Sequence, residues 1–182
     1  MKLLLLADIA SKQSLANLLR EQPDVIVTLG DLRLEILRDL RDIDTPKIGV
    51  YGNHCLRGYM EELGITNLHL QTLTLEGVMF GGFEGCVRYN RKAHKAMYTQ
   101  DEATRLLTGF PKVDVMVTHA PPYGVHDEPD DLTHQGFRIF NRYLHWAAPH
   151  HWFHGHTYPQ ISESTLGRTK IVYTHGHRFY EL

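Results

Sequence analysis

The chain is predicted to be an α/β protein built on a mostly parallel sheet. Two observations predict it. Short apolar runs alternate with stretches of helical period through the N-terminal third, a pattern that demands right-handed crossovers between parallel strands. Polar residues follow directly on the apolar runs, at the carboxyl edge where open α/β sheets bind ligands.

Lys2–Ala7 is a continuous apolar run closing on Asp8, as expected of a strand buried on both faces. Residues 14–21 read as a helix with Leu15, Leu18 and Leu19 on one face, stopped by Pro23. Residues 25–29 form a second strand and lead into Gly30-Asp31. Residues 34–40 have helical spacing, and 47–50 make a third strand running into Tyr51-Gly52-Asn53-His54. Residues 68–75 alternate and pair with 78–80 across Glu76-Gly77 as an antiparallel hairpin. Gly81-Gly82-Phe83-Glu84-Gly85 reads as a flexible loop. Thr99 and Glu102 have capping-box spacing at the head of a helix reaching Leu107. Residues 113–118 are a buried strand ending in His119-Ala120-Pro121-Pro122, and 123–136 lack periodicity and form a long loop. Residues 137–146 are helical, His151–His154 leads into Gly155-His156, and 170–174 form a late strand. With no internal repeat, low-complexity segment or linker, residues 1–182 are expected to fold as a single domain.

A formal net charge of −2 generates no field that would gather nucleic acid or an anionic membrane. Cys55 and Cys86 are the only cysteines, so no disulfide framework is expected and a reducing, cytoplasmic setting is the default. The apolar start is too short for a signal-peptide core, and no stretch approaches a membrane span. The 13 histidines are a surplus concentrated in the second half, which suggests metal chemistry. Trp146 and Trp152 are expected to pack in the core, with an interface as the alternative, and no signal for an oligomeric state is legible.

Collected at the strand ends are Asp8, Asp31, Asn53 with His54, His119 and His156. Alone, Asp31 would be a turn residue and His119 a satisfied core histidine. Their shared placement is the signal: two carboxylates, an amide and imidazoles suit Mn, Fe, Zn or Ni better than Ca, which takes oxygen ligands only.

The motifs Asp8-Ile9-Ala10, Gly30-Asp31, Gly52-Asn53-His54-Cys55, His119-Ala120-Pro121-Pro122 and Gly155-His156-Thr157-Tyr158 resemble those of the calcineurin-like metallophosphoesterases, over nearly the whole chain. The stretch from His119 to His156 is similar to the small single-domain prokaryotic members. The resemblance implies a two-sheet α/β sandwich flanked by helices, in four layers α/β/β/α. It implies a divalent cofactor, most readily Mn, with Fe, Zn, Ni or Mg as alternatives. Asp31 matches the bridging carboxylate. Asn53, His119 and His156 match the remaining ligands of one ion, so that site is intact. The other ion's set keeps Asp8 but has Ala10 and Tyr158 where the family has histidines, so its occupancy is open. Tyr158 is expected to fill the vacated space or hydrogen-bond Asp8, with phenolate ligation of ferric iron as an alternative. One of His154, His175 or His177 swinging in is a further alternative.

His54 matches the family's proton donor to the leaving oxygen. Cys55 stands where a carboxylate usually orients that histidine, and a thiol is a poor acceptor. Arg88, Arg91 and Lys92 are candidates to meet a phosphate, and His126 and His134 to rim the pocket. The implied function is metal-dependent hydrolysis of a small phosphate ester, a phosphodiester first. The alternative is a catalytically inactive binding or scaffold protein on the same fold, as in the small subunit of the retromer. A nuclease is disfavoured because the chain has no basic surface.

Overall fold

The computed structural model describes residues 1–9, 14–91 and 95–182. The expectations for Ala10 and Lys92 lie outside the described residues. The early strands are β1 (Lys2–Ala7), β2 (Val25–Thr28), β3 (Lys47–Gly49) and β4 (Thr66–Asn67). They are followed by β5 (Thr72–Leu75), β6 (Val78–Phe83), β7 (Cys86–Val87) and β8 (Met97–Tyr98). The later ones are β9 (Val115–Thr118), β10 (His151–His154), β11 (Glu163–Leu166), β12 (Thr169–Tyr173) and β13 (Gly176–Glu181). The helices are α1 (Ala16–Leu19), α2 (Leu34–Leu37), α3 (Tyr59–Leu63), α4 (Gln100–Leu107) and α5 (Arg138–Ala147).

Two sheets stack face to face. The first has the order β13-β1-β2-β3-β4, and the second β11-β12-β10-β9-β6-β5. In the first, β1 to β4 run parallel, in register Leu3↔Val25 and Ile26↔Lys47, and β13 closes the edge antiparallel to β1. In the second, β6, β9, β10 and β12 are parallel. This is the expected two-sheet sandwich.

Its layers follow from the alternation of side chains along each strand. Leu3, Leu5, Val25 and Val27 face Phe80, Val115, Val117 and Phe153 between the sheets. Leu4, Leu6 and Ile26 face outward onto Ile36 and Leu37 of α2 and Met60 and Leu63 of α3. Met116, Trp152 and Ile171 on the far side pack against Leu107 of α4 and Phe140, Tyr143 and Leu144 of α5. Both faces of the central strands are therefore apolar, which is why their sequences are unbroken hydrophobic runs. Each fully buried leucine of β1 contributes roughly 1.5–3 kcal/mol.

α4 starts on the anticipated capping box. Thr99 Oγ1 accepts from the Glu102 N–H at 3.1 Å, and the Glu102 carboxylate accepts from the Thr99 N–H at 2.8 Å. Such a cap stabilises by about 1 kcal/mol. α1 is shorter than residues 14–21: it spans Ala16–Leu19, and Ser14 ahead of it bonds Asp39 and accepts the Ala16 N–H. Trp152 is in the core, donating to Thr118 Oγ1 at 2.9 Å, whereas Trp146 lies exposed under the Lys112 ammonium. No helix among the described residues is long and apolar enough to cross a membrane.

Besides the exposed Trp146, the glycine loop is a correction. Gly81, Gly82 and Phe83 are not a flexible loop but the buried end of β6, paired in parallel with β9. The glycines are there for space: a Cβ on Gly82 would stand 2.8 Å from Leu68 Cβ and 2.9 Å from Val50 Cγ1 of the facing layer. Gly-Gly in the sequence signals flexibility, and here it marks close approach. Gly82→Ala is expected to destabilise the protein by about 1–3 kcal/mol, read as a lower denaturant midpoint at unchanged slope. An unchanged midpoint would contradict this packing.

Candidate metal centre

The carboxyl ends of β1, β2, β3, β9 and β10 converge on one edge of the sandwich, and the loops that leave them carry Asp8, Asp31, Asn53, His119 and His156. One donor atom each from Asp8, Asp31 and His119 falls within 4.8 Å of the others, a group able to hold a metal ion. Asn53 Oδ1 stands 3.0 Å from His119 Nε2, and the His156 ring centroid is 4.7 Å from that of His119.

Backbone strain aims these groups. Asp8 (φ 52°), Asp31 (φ 51°) and His156 (φ 73°) all occupy the left-handed region. Each such non-glycine residue costs on the order of 1 kcal/mol or more, and such strain clusters at functional sites. Gly52 lets the loops close: a Cβ there would lie 2.1 Å from Asp31 Oδ1.

Hydrogen bonds fix which atom of each donor faces inward. The Leu29 carbonyl lies 2.7 Å from His119 Nδ1, so that nitrogen donates and Nε2 is the coordinating one. The Asn53 amide nitrogen donates to Tyr89 Oη at 3.1 Å, which turns Oδ1 toward His119. His156 Nε2 meets the Thr133 carbonyl at 2.8 Å, leaving Nδ1 as its unprotonated nitrogen. Asp8 accepts the backbone N–H of His156 at 2.9 Å, and Asp31 accepts that of His54 at 2.7 Å. The donors of Asp8, Asp31 and His119, with Asn53 Oδ1 beside His119, fit a divalent ion, whereas His156 lies against the His119 ring without a nitrogen in that group.

The charges agree. Burial alone would raise the Asp31 carboxyl, but His119 and the His54 N–H hold it well below the usual carboxylate range. Burial would lower His119, yet Asp31 and Asp8 outweigh it and push the imidazolium up to about 9. Burial pushes the Asp8 carboxyl up. His156, desolvated and beside charged His119, falls to about 3 and is neutral. The buried cation that balances Asp31 is thus a proton on His119 in the place a metal would take.

The other predicted residues divide. His54 is exposed beside Asp31, with Nδ1 3.1 Å from Lys95 Nζ. Lys95 thus faces Nδ1, and Nε2 is the ring nitrogen on the other side. Cys55 does not reach His54 in this way: its Sγ accepts the N–H groups of Asp31 and Gly52, both at 3.2 Å. The loss expected from replacing a carboxylate therefore falls on the ligand loops, and Lys95 is the side chain that orients His54.

Arg88 is not poised for phosphate. Its guanidinium is held by Glu102 at 2.9 Å and by the Met97 carbonyl. Arg91 is exposed. The loop reaches the centre through Tyr89, which accepts from the Asn53 amide; a tyrosine among basic residues carries no motif that signals this. Tyr158 neither fills the space beside Asp8 nor bonds it: it is 64% exposed, with its ring against those of His134 and His175. His134 is tied to Asp131 at 2.7 Å, and Glu128, Asp131 and His134 form a second, more exposed group with metal-holding spacing.

His154 does not swing toward Asp8. Its Nδ1 meets the Gly155 carbonyl at 3.0 Å, its Nε2 meets His126 Nδ1 at 2.9 Å, and His126 Nε2 meets Ser164 Oγ at 2.7 Å. Two surplus histidines are thereby supports of the loop that carries His156. Tautomers assign the chain one way, from Ser164 through His126 and His154 to Gly155. Of the histidines near Asp8, His119 lowers its carboxyl most and His175 less.

No family model matches the chain, and no curated protein does. Solved structures do. The crystal structure of TT1561 of Thermus thermophilus aligns at TM-score 0.66 and 16% identity, over 94% of this chain and 88% of that one. A hypothetical protein from the same organism aligns at 0.55 and 17%, over 97% and 76%. Zinc-complexed Vps29 from Entamoeba histolytica reaches 0.44 and 12%, over 95% and 73%. Identities this low show a shared fold alone, and the last likeness supports nothing further.

A proton and a metal compete for His119 Nε2. Metal affinity is expected to rise about tenfold per pH unit up to about pH 9 and then level. Calorimetry in buffers of different ionisation enthalpy is expected to show about one proton released per ion near neutrality. Affinity independent of pH across that range would contradict the assignment.

Proposed function

We propose that the protein is a metal-dependent phosphoesterase hydrolysing a small phosphate ester, a diester by preference, with one firmly held divalent ion, manganese first. In this reading residues 1–182 act as one domain. The observation that carries it is the set of Asn53 Oδ1, His119 Nε2 and the Asp8 and Asp31 carboxylates, oriented by their own hydrogen bonds at one sheet edge. Following the family resemblance, Asp31, Asn53, His119 and His156 would hold the ion, with Asp8, already grouped with Asp31 and His119, beside it. When bound, it supplies Lewis-acid neutralisation of phosphoryl charge and acidification of water.

The chain's own groups do the rest. His54, as the imidazolium, gives the departing oxygen a proton from Nε2. Lys95, beside Nδ1, positions the ring and places a positive charge next to the phosphoryl group. Cys55 holds the Asp31 and Gly52 amides, so that the loop bearing Asn53 and His54 stays in register with the loop bearing Asp31. Asp8, with its carboxyl raised, gives a weaker second foothold for a hard ion or for a water.

Mn-dependent hydrolysis of an aryl phosphodiester and an aryl phosphomonoester tests the reading. His119→Ala is expected to lower kcat/KM more than about a hundredfold. Equal turnover by the variant would contradict it. Lys95→Met is expected to lower kcat about tenfold at nearly unchanged KM, with partial recovery in Lys95→Arg; an unaltered kcat would remove Lys95 from the chemistry.

A second reading is a phosphoesterase-fold binding protein without turnover. The exposure of Tyr158, which leaves Asp8 without that side chain as a partner, favours it. Absence of metal-dependent turnover above His119→Ala would select it.

A further inference from the structure

A cavity of about 610 Å³ opens beside His54. Two chain segments line it: Leu32 to Glu35, directly after Asp31, and His54 with Leu56 to Tyr59, directly after Asn53. The cavity thus begins one residue beyond two of the proposed metal ligands and shares the proposed proton donor. Its position relative to them is fixed, because Tyr59 Oη lies 3.6 Å from Cys55 Sγ, and that sulfur accepts from Asp31 and Gly52.

The lining is apolar where it is deep. Leu32 and Tyr59 are buried at its base, Leu34 is half-buried, and Leu56 stands 82% exposed at its edge. Leu56 is two residues after His54 and, among the described residues, belongs to none of the buried clusters. The charged lining is already matched. Arg57 is paired with buried Glu84 at 3.1 Å, and Glu62 with Arg41. Arg33 and Glu35 remain, one of each sign. The volume lies within the range of small-molecule pockets.

We propose that this cavity is the leaving-group subsite of the phosphoesterase, and that it takes an uncharged alcohol with an apolar or aromatic body of bicyclic or nucleoside size. The inference rests on the hydrolytic reading for the word leaving-group alone; the binding of an aromatic body stands separately. A leaving group bearing a second phosphate finds no uncompensated cation cluster here and is disfavoured.

Two measurements test it. The first is kcat/KM for the naphthyl and the trifluoroethyl ester of the same phosphate, in the wild type and in Leu56→Asp, with thermal melting as the check on folding. Since Leu56 is exposed, the variant is expected to melt like the wild type. Its kcat/KM for the naphthyl ester is expected to fall at least about tenfold, with the trifluoroethyl ester nearly unaffected. Equal effects on both esters, or none, would overturn the proposal. The second uses the metal-free protein and non-hydrolysable naphthylmethylphosphonate, followed by the leucine methyl resonances. Shifts at Leu32, Leu34 and Leu56 that vanish in Leu56→Asp support the subsite even if no ester is turned over, which would count against hydrolysis and not against the cavity. An absence of shifts would overturn it.

Discussion

The Asp31 carboxylate is the point on which the rest of the centre depends. One oxygen takes the His54 N–H, and the other faces His119 Nε2 at 3.5 Å. Its backbone N–H is held by Cys55, and its left-handed φ turns the chain sharply off β2. Asp31 thereby ties the loops after β2, β3 and β9, which come from both sheets. The two sheets meet between Leu5, Val27 and Val117 on apolar contact alone. At this edge they meet through charge.

That arrangement concentrates strain and charge at one edge. Three strained residues and a nearly desolvated carboxylate–imidazolium pair occupy one small volume. A buried charged pair is weak evidence for stability, because desolvation offsets much of the attraction. Its retention is better understood as preorganisation: the same donors that stabilise a proton on His119 stand ready for a divalent ion. The supporting bonds to the Leu29 and Thr133 carbonyls and to Tyr89 keep the donors from relaxing toward one another.

The sandwich and its ligand edge were legible in the sequence for a common reason. Strands buried on both faces become continuous apolar runs, and a polar residue directly after such a run must lie at the sheet edge. β1 with Asp8 and β9 with His119 are the plain cases. Illegible were features set by tertiary distance. The Gly81–Gly82 pair looks like a hinge until the facing Leu68 and Val50 are seen. Arg88 resembles a phosphate ligand until Glu102 of the next helix claims it. Lys95 has no motif and reaches His54 only through the fold. Tyr158 follows Gly155-His156 closely in sequence, but its side chain leaves the edge for solvent. β13 was missed because Gly176–Glu181 is polar and half-exposed, as suits an edge strand.

The central claim is that a single divalent ion is held by the strand-end donors. The most direct test is the crystal structure of the manganese-soaked protein with anomalous data at the Mn absorption edge. The account predicts one strong peak bounded by Asp31, Asn53, His119 and His156, with the His119 ring unmoved on the Leu29 carbonyl. No peak there, or a peak confined to Glu128, Asp131 and His134, would contradict it.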